Sequence, residues 1–436
     1  MNKAQLIIFG VVGVLVLVVI LVIFGVIPGL KPSIPAKFTL TVWGFEDNDI
    51  WEEAAKKYHI KYPYITIEYV QKNHATYESD LLNALATGSG PDIFVLNNTQ
   101  VTKHKEKILP LPQDALSFHV RDFKNTFFDA ASGDLITKDG NILGVPLTVE
   151  TLALFYNRDF LNSANIVSPP KTWEELVDAV KKLTTYTEVG TIMRSGAALG
   201  TSQNVAHSFD ILGALFLQSG VEPINRDTEL SGLRAERIQF GIQGSAESVL
   251  DFYTSFANST KRAYAWSSFF PDSLTAFAQG KTALMVGYPS DYPVILEKNP
   301  HLNFDVSALP QLENIGATTH YAWYDFETVS KQSKHSEDAW NFLLWLSDSA
   351  NDKAFADALN LPSARRDLVL SRPPKDYLQV FYDQILSSKT WLISDQDKLR
   401  PIFNEMIDSV VNKTASVESA VGRANERINN LFLPEK

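Results

Sequence analysis

A glutamate interrupts an apolar run near residue 150. Glu150 lies between Val149 and Leu152 within GVPLTVETLALFYN, residues 144–157, which otherwise has the composition of a strand. An unpaired carboxylate is costly to bury, because removal from water disfavours its charged form. We therefore predict that Glu150 faces a wet cleft, where its carboxylate accepts hydrogen bonds from a polar ligand.

Aromatic residues occur together with amide and acidic residues where predicted strands end. A sugar ring has an apolar face of C–H groups and a belt of hydroxyls, so its site needs flat aromatic rings and planar hydrogen-bonding groups. Taken singly, a tryptophan is more often a core residue, and an asparagine after a strand is more often a turn former. Their convergence on one predicted edge favours a binding site. The candidates are Trp43, Phe45, Asp47, Asn97, Asn98, Gln100, Tyr288, Asp291, Trp323 and Tyr324.

The sequence lacks the usual motifs of catalytic and metal centres. It has no H-E-x-x-H, G-x-S-x-G, P-loop lysine or G-x-G-x-x-G, and no two of its histidines have zinc-ligand spacing. The glycines of TGSGPD, residues 87–92, lead from a helix into a strand, which is the reverse of a phosphate-binding loop. We predict no catalytic residue, no metal and no cofactor. The enzymatic alternative is a surface glycoside hydrolase with Asp47 and Glu150 as acid and base.

Strands and helices alternate around these candidate residues. KFTLTVWGF and PYITIEYV are predicted strands with the helix DIWEEAAKKYHIKY between them, and TYESDLLNALATG is a predicted helix before the strand PDIFVLNN. This order indicates a parallel sheet, and open α/β sheets bind ligands at the carboxyl edge of their strands. Residues 43–47 and 97–100 are therefore expected to lie at one edge.

A second α/β region follows residue 150. Thr172 and Glu175 have the spacing of a capping box at the start of an amphipathic helix. Further on, residues 283–286 and FDVSALP are predicted strands, with a turn at Gly280 before the first of them. SEDAWNFLLWLSD and the segment from Ser416 are predicted helices with one apolar face.

The amino-terminal segment is apolar and long enough to cross a membrane. Residues 6–27 contain no charge and no proline, and a helix of that length spans about 33 Å, compared with about 30 Å for a bilayer core. A cleaved secretory signal is the alternative, although its apolar region is usually shorter. We predict a cytoplasmic amino terminus (1–5), a transmembrane anchor (6–27), a Pro-rich linker (28–37) and an extracellular or periplasmic globular part.

Composition excludes several kinds of partner and tether. The formal net charge is −11 and the lysines and arginines do not cluster, so no nucleic-acid partner is expected. The chain has no cysteine, so neither a disulfide nor a lipid-modified cysteine is possible, and the lipid bilayer would be contacted through the amino-terminal helix. The roughly 400 residues after the linker are enough for two domains.

Several longer motifs follow one another between Phe38 and Leu346. They are LTVWGFEDND with YPYITIEYV, LLNALATGSGPDIFVL, GNILGVPLTVETLALFYNRDFLNSANIVSPPKTWEELVDAVKKL, AFAQGKTALMVG, FDVSALP and VSKQSKHSEDAWNFLLWL. In this order they resemble the extracellular solute-binding proteins that supply sugars to ABC importers, the group that includes maltose-binding protein. The resemblance implies that Glu150 contacts the ligand and that the stretch from Ser202 to His207 contributes. Leu96 departs from the aromatic residue of maltose-binding relatives.

The resemblance also implies a fold and a function. The fold would be α/β, with two lobes of the type II periplasmic-binding-protein class that are joined by several chain crossings. The transmembrane helix predicted above would precede them and departs from the family, because it replaces the lipid-modified cysteine that is common among Gram-positive relatives. Lobe 1 would comprise residues 38–147 and 308–330, and lobe 2 residues 151–303 and 335–436. The protein would capture a carbohydrate between its lobes and deliver it to ABC permease subunits. A polyamine, a peptide or a metal chelate is the alternative ligand.

Overall fold

A computed structural model of the chain shows alternating strands and helices. The helices are α1 (Lys3–Ile23), α2 (Asn48–Lys61), α3 (Tyr77–Thr87), α4 (Val101–His104), α5 (Gln113–Leu116), α6 (Val120–Thr126), α7 (Asp129–Leu135), α8 (Arg158–Ser163), α9 (Trp173–Leu183), α10 (Ser208–Gln218), α11 (Ala246–Ser255), α12 (Ser273–Ala278), α13 (Asp291–Lys298), α14 (Ser336–Leu346), α15 (Ser349–Leu359), α16 (Arg366–Ser371), α17 (Leu378–Ile385), α18 (Gln396–Val411) and α19 (Val417–Leu431), with 3-10 turns at Asn98–Gln100 and Lys105–Lys107. The strands are β1 (Phe38–Gly44), β2 (Ile65–Gln71), β3 (Ile93–Asn97), β4 (Glu150–Thr151), β5 (Ala153–Asn157), β6 (Thr185–Tyr186), β7 (Ile192–Ala197), β8 (Arg237–Gln239), β9 (Ile242–Gly244), β10 (Thr282–Gly287), β11 (Phe304–Ala308), β12 (His320–Trp323), β13 (Asp325–Val329) and β14 (Ser388–Lys389). The structure describes residues 3–23, 36–234, 237–239, 242–313, 317–371 and 376–431.

The first lobe is built on a four-stranded sheet in the order β13-β3-β1-β2. β1 pairs in parallel with β2 and β3, whereas β13 joins β3 antiparallel. Leu40 and Val42 alternate with more exposed neighbours along β1, as expected for a strand with one fully buried face. α3 ends at Gly88, which has a φ of 72°, so this glycine terminates the helix as predicted.

The second lobe is built on a five-stranded sheet in the order β11-β5-β10-β7-β6. Leu152 and Leu154 pack into one apolar cluster, while Ala153 and Phe155 pack into another on the opposite face of the sheet. The hydroxyl of Thr172 accepts a hydrogen bond from the Glu175 N–H at 3.1 Å and caps α9. The prediction of two α/β lobes is confirmed.

A small third sheet joins the two lobes. β12 pairs antiparallel with β4 and parallel with β14. β4 leads directly into β5 of the second lobe, and β12 leads into β13 of the first. The chain therefore crosses between the lobes at this sheet, and Glu150 and Trp323 lie on the crossing strands.

The structure corrects the predicted lobe boundaries. The segment 335–436 was expected in the second lobe, but Trp340 and Phe355, on α14 and α15, lie in the apolar core of the first. β11, which includes residue 308, pairs with β5 in the second lobe. Within the described residues of the carboxyl-terminal part, the helices α18 and α19 pack in the second core, together with Trp391 and Ile393. The helical period shows which face of α14 is buried, but it does not show which sheet that face covers.

The predicted anchor is described only in part. α1 covers Lys3–Ile23, whereas residues 24–27 of the anchor, residues 28–35 of the linker and residues 1–2 lie outside the described residues. Among the helices of the described residues, none meets the length and hydropathy expected of a membrane span.

Two acidic side chains are buried in the first lobe. Asp352 accepts a hydrogen bond from the Ser363 hydroxyl, and burial raises its pKa from 3.8 to about 8. Burial also raises the pKa of Glu327 well above its ordinary value, and the nearby carboxylates of Glu46 and Asp325 raise it further. Both acids therefore stay protonated in the folded state at pH values where the unfolded chain has lost these protons.

These raised pKa values predict stability that decreases as pH rises. The stabilising contribution of Asp352 is complete below about pH 4 and is lost as pH rises through about 8, because the folded state binds the extra proton in that window. We expect the wild-type free energy of unfolding to fall by up to about 1.4 kcal/mol per pH unit for each such group. Urea denaturation at pH 5, 7 and 9 measures it.

The variant Asp352→Asn removes the titrating group and keeps an acceptor for Ser363. Its free energy of unfolding is expected to depend less on pH than that of the wild type. Asp139→Asn, at an exposed position of the first lobe, is the matched control and should retain the wild-type dependence. Parallel pH profiles for wild type and Asp352→Asn would contradict the assignment.

Candidate functional site

Glu150 is buried on β4 and has a partner within the protein. Only 6% of the residue is exposed, and its Oε2 accepts a hydrogen bond from the Ser290 backbone N–H at 3.0 Å. Ser290 directly precedes α13, and a helix amino terminus favours negative charge. Burial raises the pKa of Glu150, whereas the hydrogen bond with Ser290 opposes that rise. The predicted partner of Glu150 was a polar ligand in a wet cleft, whereas in the structure the carboxylate is buried and the second lobe supplies a protein partner for one of its oxygens.

His207, Tyr288 and Asp291 form one hydrogen-bonded group beside Glu150. Asp291 Oδ2 lies 2.8 Å from His207 Nε2 and accepts the Tyr288 backbone N–H at 2.8 Å. Burial alone would lower the pKa of His207, but the hydrogen bond and charge of Asp291 outweigh burial and raise it. A Cβ at Gly287 would lie 2.5 Å from Asp291 Oδ2, so this carboxylate position requires glycine there.

Trp323 adds an aromatic ring to the same group. It is paired with Glu150 in the β4–β12 register, so the two side chains share one face of the crossing strands. The Trp323 ring lies 6.4 Å from the Tyr288 ring, which in turn contacts His207 edge-on at 4.8 Å. Trp323 is only partly buried. Its ring is therefore available to a ligand at the crossing.

Asp210 is a further residue of this site that the sequence analysis missed. Asp210, in the first turn of α10, is buried and accepts a hydrogen bond from the Tyr321 hydroxyl at 3.4 Å. Burial raises the pKa of Asp210, while His207 and Arg400 oppose that shift. An aspartate inside the apolar helix sequence SFDILGALFL is the same kind of signal as Glu150 in its strand, and it could have identified Asp210.

The predicted residues after β3 act mainly in local structure. Asn97 Oδ1 accepts the Thr99 N–H at 3.0 Å, and Gln100 Oε1 accepts the Asn97 N–H at 3.2 Å. Asn98 is held by Tyr324, whose backbone N–H donates to Asn98 Oδ1 at 3.4 Å. Tyr324 itself is buried in the first core and donates its hydroxyl to Asp134 Oδ2 at 2.9 Å. Tyr324 thus lies in the interior, unlike its neighbour Trp323.

The predicted residues after β1 lie at the edge of the first sheet. The Lys72 ammonium lies 3.5 Å from the centre of the Trp43 ring and covers one face of it. Phe45 packs edge-on against Tyr77 at 4.4 Å. Asp47 directly precedes α2, and its Oδ1 accepts a hydrogen bond from Gln71 Nε2 at 3.4 Å. Trp43 and Phe45 are therefore engaged by protein neighbours.

Asp325 connects the edge of the first sheet to the crossing. Burial raises its pKa well above the ordinary range, and the carboxylates of Glu46 and Glu150 raise it further, so both lie near it. Glu46 Oε2 accepts hydrogen bonds from Trp51 Nε1 and from the Tyr69 hydroxyl, each at 3.1 Å. Glu46 and Asp325 are acidic residues of the first lobe that the sequence analysis did not select.

The structure thus brings one part of the predicted set into direct contact. Glu150, His207, Tyr288, Asp291 and Trp323 form a connected cluster at the crossing and on the second lobe. A cavity of about 600 Å³ lies elsewhere, between α7, the carboxyl end of α10 and β14, and no predicted residue lines it. In the part of the chain that the structure describes, no three His, Asp or Glu residues form a potential metal site.

The structure has two α/β lobes, and a polar and aromatic cluster lies where the chain crosses between them. These features define a two-lobed binding protein, the class of protein whose lobes close around a ligand. The sequence comparison specifies the family. The chain belongs to the bacterial extracellular solute-binding protein family, whose sequence model matches residues 53–381. It is therefore an extracellular binding protein rather than an enzyme, as predicted.

Individual relatives agree with this family. The maltodextrin-binding protein MdxE of Bacillus subtilis is 24% identical over 335 residues, which cover 75% of this chain and 73% of the relative. The sugar-binding protein MalE of Xanthomonas citri superposes with a TM-score of 0.74 at 20% identity, over 90% of this chain and 97% of MalE. An ABC transporter solute-binding protein of Thermotoga lettingae, bound to α-D-tagatose, has a TM-score of 0.68 at 20% identity, over 91% of this chain and 100% of that protein.

The Ser290 contact changes what is expected of a Glu150 variant. Glu150→Ala removes the acceptor of the Ser290 N–H, but Ser290 itself is exposed and water can replace part of the lost bond, so we expect the free energy of unfolding of the ligand-free protein to fall by about 1 kcal/mol. Glu150→Gln retains an acceptor and should lower it less. Urea denaturation without ligand measures both. Glu426→Ala, on the exposed surface of α19, is the control, and a Glu150→Ala variant as stable as that control would contradict the structural role.

Proposed function

We propose that the protein binds a carbohydrate between its lobes and delivers it to the permease of an ABC importer. The observation that carries this proposal is the shared face of Trp323 and Glu150 on the crossing strands. An aromatic ring beside a carboxylate matches the apolar face and the hydroxyl edge of a sugar. The names of the similar proteins, which refer to maltodextrin, to sugar and to α-D-tagatose, support the same class of ligand.

The placement of the polar groups supports a closing mechanism. Glu150 and Trp323 lie on the crossing strands, His207 and Asp291 on the second lobe, and Asp325 at the edge of the first. A ligand shifts the balance between open and closed lobes only if it binds the two states with different free energies. A sugar that contacts residues of both lobes meets this condition, because those contacts exist together only when the lobes are close. Phe45, Asp47, Asn97 and Gln100 would line the outer part of the first-lobe edge.

The proposal includes a membrane tether. The apolar segment 6–27 would anchor the protein in the lipid bilayer with its lobes outside the cell. Fractionation of cells that express the full chain tests it: the protein is expected in the membrane fraction after a high-salt wash, and a variant that lacks residues 1–27 but carries a secretory signal is expected to be soluble outside the cytoplasm. Release of the full chain by the salt wash would contradict the anchor.

A thermal-shift panel tests the ligand class. Detergent-solubilised full chain is mixed with maltotetraose, mannotriose, a galactooligosaccharide, spermidine, a tetrapeptide or a ferric chelate. At least one oligosaccharide is expected to raise the melting temperature, because it binds only the folded state. Chromatography of that sugar after incubation should show an unchanged length, whereas shortened products would support the glycoside hydrolase. Stabilisation by spermidine, the tetrapeptide or the ferric chelate alone would contradict the carbohydrate proposal.

The variant Trp323→Ala locates the binding site. It is expected to weaken binding of the stabilising oligosaccharide by about tenfold, since an aromatic contact contributes about 0.5–1.5 kcal/mol beyond the burial of its area and about 1.4 kcal/mol corresponds to a factor of ten. Phe269→Ala removes an aromatic ring that is 97% exposed and is not among the residues of the cluster, and this variant should bind as the wild type does. Isothermal titration calorimetry measures both affinities, and equal affinities would place the sugar elsewhere.

A further inference from the structure

Two short segments of the lobes touch each other beside the candidate site. One is α4 with the 3-10 turn before it, whose Val101 belongs to the first core. The other is the amino terminus of α18, whose Leu399 and Phe403 belong to the second core. Any contact between these segments therefore joins one lobe to the other.

Lys103 is the charged residue at this contact. Its ammonium lies 2.7 Å from Glu78 Oε1 on its own lobe, and 2.8 Å from Asp397 Oδ2 and 3.5 Å from Asp395 Oδ1 on the other lobe. Beside it, the Thr99 hydroxyl donates to Gln396 Oε1 at 3.1 Å. Lys103 thus has one partner that moves with it and two partners that the opposite lobe supplies.

The burial of these groups favours a measurable attraction. Lys103 is 27% exposed and Asp395 17%, so this pair is partly shielded from solvent, whereas Asp397 is 74% exposed and its contribution is screened. Burial alone would lower the pKa of Lys103, but its hydrogen bonds with Asp397 and Glu78 outweigh burial and raise it. Asp395 and Asp397 also lie at the amino terminus of α18, where the helix dipole favours negative charge, and Asp395 Oδ1 accepts the Asp397 N–H at 3.1 Å.

We propose that Lys103 is a positioning residue that latches the two lobes through Asp395 and Asp397, and that it thereby sets the affinity for the ligand. The inference rests on the proposed function, because it assumes a ligand that is bound by the closed state. Glu78 keeps the ammonium in place when the lobes separate, and closure adds the two carboxylates. An interaction made only in the closed state raises the closed population, and the apparent affinity rises with that population. The latch is electrostatic, so its effect falls with salt even when the ligand is neutral.

The closed population can be measured without any ligand. The chain contains no cysteine, so Ala86→Cys on the first lobe and Val167→Cys on the second provide unique spin-label sites at exposed positions. Double electron–electron resonance on the otherwise wild-type full chain is expected to show a short and a long distance at 20 mM NaCl. The short-distance fraction should fall several-fold at 500 mM NaCl.

Substitution of Lys103 should reproduce the effect of salt. Lys103→Met is expected to have a reduced short-distance fraction at 20 mM NaCl, with little further change at 500 mM. Lys57→Met is the matched control: it removes the same charge from an ion pair within α2, where Lys57 lies 2.7 Å from Glu53. Its short-distance fraction should equal that of the spin-labelled protein with an otherwise wild-type sequence, at both salt concentrations. The melting temperatures of both variants check that each is folded. Asp397→Asn should reduce the short-distance fraction less than Lys103→Met, and the double variant should resemble Lys103→Met.

The outcomes separate this inference from the proposed function. Two outcomes would overturn the latch and leave carbohydrate binding intact. One is that the spin-labelled protein with an otherwise wild-type sequence has no short-distance population at 20 mM NaCl. The other is that folded Lys103→Met has the same short-distance fraction as Lys57→Met. Conversely, a salt-sensitive short distance that Lys103→Met abolishes would stand even if no oligosaccharide in the panel bound. With an oligosaccharide that does bind, calorimetry at 20 mM NaCl should show an affinity about three- to tenfold weaker for Lys103→Met and unchanged for Lys57→Met.

Discussion

The pairing of β4 with β12 is the constraint on which the candidate site depends. Only two residue pairs define this register, and one of them sets Glu150 beside Trp323. Side chains alternate between the faces of a strand, so a slip of one residue would turn either side chain away from the site. The Ser290 N–H then makes the buried position of Glu150 tolerable, because it supplies a partner from a helix amino terminus. One short ladder therefore fixes the position of the aromatic ring and the carboxylate together.

Much of the fold could be predicted from local patterns. The period of two in β1, the cap at Thr172 and the helix end at Gly88 each reflect chemistry within a few residues, and each is present in the structure. The lobe to which α14 belongs could not be predicted in this way. Its apolar face would suit either sheet. The structure places α14 against the first sheet, to which β13 belongs, and the pairing of β13 with the distant segment β3 is not visible in a local pattern.

The candidate site shows the same division between local and distant information. Tyr288 and Asp291 could be selected because they follow β10, and the carboxyl end of a strand in an α/β sheet is a predictable place for polar groups. Asp210, Arg400 and Asp325 were missed, since helices and a strand from distant parts of the chain bring them to the site. The neighbours of a predicted aromatic residue could not be predicted either. Lys72, which directly follows β2, covers one face of the Trp43 ring on the neighbouring strand β1, and the sequence does not reveal this contact.

The charges around the crossing explain why a closed form would need both a ligand and an attraction elsewhere. Burial raises the pKa values of Glu150 and Asp325, and the carboxylates of Glu46 and Glu150 raise the pKa of Asp325 further. Removal of such groups from water is unfavourable unless hydrogen bonds replace the lost hydration. A carboxyl that keeps its proton donates as well as accepts, so it can pair with sugar hydroxyls in either direction. Sugar hydroxyls would therefore satisfy the acids that oppose an empty closed cleft, while Lys103, at the edge of the cleft, supplies an attraction that is independent of the ligand.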